Sequence, residues 1–114
     1  MSVRITGDTL ALDSKLVRRI NQHADNLQSA TPDQPLDLQV RIAEEFDQLR
    51  GHRVRCELVA TLSAKRQIIV REAQKKAEQA IDTAFAGLKT KLRRQRIQSL
   101  GREGAAQALR ATGT

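Results

Sequence analysis

The chain has 114 residues, with 20 Lys or Arg against 13 Asp or Glu, for a net charge of +7. That length holds one compact domain burying roughly 65% of its unfolded surface, and excludes two full domains or a need for a disulfide or metal staple. A single cysteine rules out an internal disulfide; with no charged-then-apolar leader and no apolar run near ~18 residues, a soluble cytoplasmic protein without a membrane span is expected.

The first element is "SVRIT" (2–6), where Val3 and Ile5 alternate with Arg4 and Thr6 as in a half-buried strand. "GDT" comes next as a turn. "LDSKLVRRINQHADNL" then reads as a helix capped by Asp13 or Ser14, with Leu16, Ile20, Ala24 and Leu27 on one stripe. Pro32 and Pro35 in "QSATPDQP" mark a loop, because neither can continue a helix.

Three more strands are predicted. "LDLQVRI" sets Leu36, Leu38, Val40 and Ile42 on one face; "HRVRCELVATL" does the same with Val54, Cys56, Leu58, Ala60 and Leu62. "RQIIVRE" is a shorter strand after a turn near "SAKR". Short connections between alternating runs imply an antiparallel meander with one covered face and one wet face. A second helix spans about Lys75 to Arg96, with Ala77, Ile81, Ala84, Phe85, Leu88 and Leu92 as its apolar stripe. Gly101 and Gly104 loosen the chain beyond this helix. The predicted domain is therefore 1–98, with a short flexible tail over 99–114. The order β-α-β-β-β-α gives an α+β fold: a four-stranded sheet with both helices on one face, sharing one core.

The basic excess is one-sided. Residues 1–47 hold 5 Lys or Arg and 8 Asp or Glu, whereas residues 48–114 hold 15 and 5. An excess gathered in one half points to a polyanionic partner, nucleic acid or an anionic membrane surface. It is densest in "LKTKLRRQR", where Lys89, Lys91, Arg93, Arg94 and Arg96 fall within eight positions containing no acid. At 100° per residue from Ile81, Lys89, Arg93 and Arg96 lie at about 60° to 120° and Lys91 and Arg94 at about 220° to 280°. A solvated helix back is the plain alternative, helped by cations near a helix C-terminus. However, no acid within the run can pair with these cations, and their mutual repulsion favours a polyanion partner. Lys15, Arg18 and Arg19 lie off the stripe of the first helix and could join the same face. Lys75 and Lys76 stand at a helix N-terminus, where phosphate contact and a solvated loop fit equally well.

The open sheet face carries Arg41, Arg53, Arg55 and Arg71 with Asp37 and Glu57, for which cross-strand pairing is the simpler reading. It has no aromatics on which bases could stack, so recognition should run through phosphates, 2′-hydroxyls and shape. One Cys and two separated His (His23 and His52) give no metal set, no glycine-rich phosphate loop occurs, and no nucleophile has an adjacent base. No catalytic residue, metal, cofactor or small-molecule substrate is expected. Cys56 reads as a small buried residue and His23 as a packed or edge histidine.

Three stretches carry a family resemblance: "VRITGDTLALDSKL", "IIVREAQKKAEQAID" and "AIDTAFAGLKTKLRRQR". Over roughly residues 2–98 the chain resembles the ribosome hibernation promoting factors, a family that includes the ribosome-associated inhibitor A. The resemblance implies a fold like that of double-stranded RNA-binding domains. It also implies binding to small-subunit ribosomal RNA in the channel for messenger and transfer RNA, blocking translation and preserving idle ribosomes. The RNA-binding candidates are then Lys15, Arg18, Arg19, Lys75, Lys76, Lys89, Lys91, Arg93, Arg94 and Arg96.

There are departures. Before "AID" the family commonly has Asp-Met-Tyr, but here Lys76, Ala77 and Glu78 stand. The second half of the first helix offers His23 and Asn26 where lysines are common. The tail is neither acidic nor long enough for a second domain, so the chain resembles a short form, a subgroup in which ribosome pairing depends on a separate modulation factor. Two other readings compete: a general structured-RNA module without ribosome preference, and a protein-interaction module for an acidic partner.

Overall fold

The computed structural model describes residues 2–31, 36–62 and 66–111, with side chains as far as Gln95. The elements run β1 (Ser2–Gly7), a 3-10 turn (Thr9–Leu12), α1 (Ser14–Ala30), β2 (Asp37–Asp47), β3 (Gly51–Thr61), β4 (Gln67–Gln74) and α2 (Ala77–Ala111). The β-α-β-β-β-α order is as the sequence predicts. The Pro32 and Pro35 loop, most of the "SAKR" turn and the side chains of Arg96 and the tail lie outside the described residues.

The four strands form one sheet in the order β1-β2-β3-β4. β2, β3 and β4 are the expected antiparallel meander, with Val40 opposite Leu58 and Leu58 opposite Val70. β1 pairs parallel to β2, Ile5 opposite Val40, because α1 is the crossover that returns the chain to the same end. The sheet is therefore mixed.

Alternation determines which face is covered. Leu38, Val40 and Ile42 of β2, Val54, Cys56, Leu58 and Ala60 of β3, and Ile68 and Val70 of β4 are all buried. Against them lie Leu16, Ile20, Ala24 and Leu27 of α1, and Ala80, Ile81, Ala84, Phe85, Leu88 and Leu92 of α2. Cys56 is fully buried, and that burial pushes its thiol up to about 12.

Two local devices hold α1 in place. Asp13 is its N-cap, accepting from the N–H groups of Lys15 (2.9 Å) and Leu16 (3.3 Å). Ahead of it the "GDT" turn tightens into the 3-10 turn, whose cap Asp8 accepts from Leu10 N (2.9 Å) and, across the sheet, Glu44 N (2.7 Å). These N–H groups hold the Asp8 carboxylate below its ordinary pKa, the Glu44 bond most of all. Gly7 has φ +136°, and a Cβ there would stand 1.8 Å from the Ile42 carbonyl oxygen, so only glycine lets β1 turn so close to β2.

β2 and β3 run further than their clean alternation suggests, pairing out to Asp47 and Gly51. This hairpin passes beyond the core, leaving Phe46 (77% exposed) and Leu49 (95%) outside it. Its turn closes on Asp47, which accepts from Leu49 N at 2.8 Å, and on Gly51 at φ +79°.

Candidate nucleic-acid interface

The two helices lie side by side and run the same way. Arg19 of α1 meets Asp82 of α2, and further along both helices Leu27 and Ala30 share a groove with Ala86 and Lys89. The parallel course comes from topology, since each helix descends from a strand of the same direction. The outward faces of α1 and α2 thus form one surface opposite the sheet.

That surface is pinned at Asp82. Its carboxylate accepts both arms of the Arg19 guanidinium, Nε at 2.8 Å and Nη2 at 2.5 Å, and lies 2.7 Å from His23 Nε2. Arg19 foremost, and His23 after it, hold the Asp82 carboxyl down to about 2. The His23 ring in turn stacks on Phe85, with centroids 4.9 Å apart and planes 10° from parallel. His23 is thus a packed edge residue, half-buried between the helices. "AID" was legible as a family feature, but its partner Arg19 lies 63 residues away, and no local pattern signals such a pair.

The sequence candidates divide by what they touch. Arg19 is engaged by Asp82. Lys91 turns to the other flank of α2, where its Nζ donates to the Ile69 carbonyl of β4 at 3.0 Å. That carbonyl lies on an edge strand, so the lysine caps an otherwise open edge. Lys15, Arg18, Lys75, Lys76, Lys89, Arg93 and Arg94 are exposed, and no ion pair involving them is found among the described residues. Lys89 and Arg93 come seven and eleven residues after Asp82, two and three turns, and so share its α1-facing flank. Arg94 lies on the opposite flank. Lys75 and Lys76 stand at the junction of β4 and α2, where the Lys76 carbonyl accepts from Ala80 N at 3.1 Å. The Arg96 side chain lies outside the described residues.

The open sheet face differs in kind. Arg55 pairs with Glu45 (2.9 Å), Arg71 approaches Glu57 (3.9 Å), and Arg53 donates to the Ala73 carbonyl (3.3 Å). Asp37 takes the Ser2 hydroxyl (3.0 Å) instead of an arginine. Cations answered by acids leave this face weakly charged, whereas the helical face holds its cations unanswered. Among the described residues no His, Cys, Asp and Glu cluster could hold a metal ion, and no helix is long and apolar enough to cross a membrane.

Comparison with known proteins agrees with this architecture. The family model described as sigma 54 modulation protein / S30EA ribosomal protein matches residues 3–98. The chain is similar in structure to the N-terminal domain of Protein Y from Thermus thermophilus, at a TM-score of 0.68 and 20% identity, covering 82% of this chain and 98% of that one. It is also similar to a ribosomal subunit interface protein from Coxiella burnetii, at a TM-score of 0.69 and 12% identity, covering 85% and 99%. No curated protein sequence matches it.

Proposed function

This chain belongs to the sigma 54 modulation protein / S30EA ribosomal protein family of non-enzymatic, ribosome-associated hibernation factors, and from that premise we propose that it binds small-subunit ribosomal RNA in the messenger and transfer RNA channel. It acts there in the cytoplasm by occupying the site of translation. Lys15, Arg18, Lys89 and Arg93 reach phosphates from the shared face of the helices, with Lys75, Lys76, Arg94 and Arg96 as further contacts. Arg19 sets the geometry of that face through Asp82.

The observation that carries this reading is the placement of unpaired cations from both helices on one surface, locked by the Arg19–Asp82 pair. A folded ribosomal RNA offers closely spaced phosphates to such a surface, and phosphate contacts position a protein without reading sequence. The ribosome-binding unit is residues 1–98, and pairing of ribosomes requires a separate modulation factor.

Competition tests the channel directly. Small subunits saturated with the protein should fail to bind transfer RNA, and excess transfer RNA should displace the protein in turn. Simultaneous binding of both would place the protein elsewhere on the subunit.

A further inference from the structure

Between α1 and α2 lies an open groove of ≈ 240 Å³. Its floor is apolar, formed by the buried side chains of Leu27 and Phe85. Its walls are low because Ala30 and Ala86 face each other where longer side chains would close the gap. One end is shut by the His23–Asp82 contact, and the other is marked by the exposed Lys89. Asn26 stands on the rim, exposed, with no hydrogen bond to its amide found among the described residues.

We propose that this groove takes one unstacked base of the bound RNA, an inference that rests on the RNA-binding reading above. The volume is below the roughly 300–1,000 Å³ of sites for drug-sized ligands, so it suits a single ring system. Single-stranded bases in RNA complexes are held by apolar or aromatic contact to the ring and by side-chain hydrogen bonds to its edge. The groove supplies both: Leu27 and Phe85 below the ring, and the Asn26 amide, donor and acceptor together, at its edge. Lys89 stands where the phosphate of the same nucleotide would leave the groove, with Arg93 one turn further along.

The other phenylalanine does not compete. Phe46 is exposed at the hairpin tip, but Glu44, Glu45 and Asp47 surround it in sequence, and that negative charge repels a phosphate backbone. Phe85 is the one aromatic floor flanked by unanswered cations.

The test compares the full chain with Ala86→Leu, which fills the groove from its exposed rim, and Asn26→Ala, which leaves its shape intact. Each is titrated onto small subunits across a salt series, with chemical probing of the Watson–Crick edges of the ribosomal RNA. The Ala86→Leu variant should bind about tenfold more weakly, the loss of one base contact, at an unchanged salt slope. One base protected by the natural protein should regain reactivity in both variants. Natural affinity and an unchanged protection pattern in both variants would overturn the groove assignment alone. Failure of the unaltered protein to bind small subunits would overturn it together with the reading beneath it.

Discussion

Asp82 is the residue through which α1 and α2 hold one another. Its carboxylate is held down to about 2, well below the ordinary value of 3.8, chiefly by the Arg19 guanidinium. A carboxylate with a lowered folded-state pKa adds stability above the unfolded value and loses it as pH falls toward the folded one. The contribution is therefore complete near neutrality and disappears between about pH 4 and 2. Asp82 is 41% exposed, so solvent screening limits the pair to about 1 kcal/mol. Asp82→Asn should destabilise the domain by about that amount at pH 7, with a difference that shrinks toward pH 2. Urea unfolding at the two pH values measures it, and a pH-independent difference would mean that packing, not charge, holds the helices. At this scale the sequence was legible for buried residues and much less so for their polar partners. Leu16, Ile20, Leu38, Val54 and Leu88 could be placed by period alone, because burial repeats every two or 3.6 residues. Arg19 and Asp82 meet only because the sheet lays two distant helices together.

Elements show the same division. The strands over 36–42 and 52–62 were legible because apolar and polar residues alternate strictly there. Their extension to Asp47 and Gly51 was not, since "AEEFD" has no alternation and is held by ladder pairing beyond the core. The parallel pairing of β1 likewise depends on tertiary topology. Within α2, helical geometry separates the basic run into two flanks with different tasks. Lys91 caps the Ile69 carbonyl on the edge of β4, while Lys89 and Arg93 share the Asp82 flank that faces α1. Lys91→Ala should leave small-subunit binding nearly intact, whereas the double variant Lys89→Ala, Arg93→Ala should weaken it and lower the salt slope by about 0.7 to 0.9 per cation. Binding titrations at several salt concentrations distinguish them. A larger loss from Lys91→Ala would reverse this assignment of the flanks.

On the scale of the whole molecule, charge is sorted by surface. The sheet's open face pairs its arginines with Glu45 and Glu57, and the helical face leaves Lys15, Arg18, Lys89 and Arg93 unanswered. Self-repulsion among these cations costs stability in the free protein and is relieved when a polyanion covers them. This asymmetry was partly legible in the sequence, as a basic second half, but the opposite roles of the two faces emerge only once the strands and helices are stacked.

The central claim is selective, electrostatic binding to the small ribosomal subunit. Sedimentation of the purified protein with separated small and large subunits across a salt series tests it most directly. The protein should travel with the small subunit alone at low salt and be released progressively as salt rises. Equal binding to both subunits, or none to the small subunit at low salt, would contradict it.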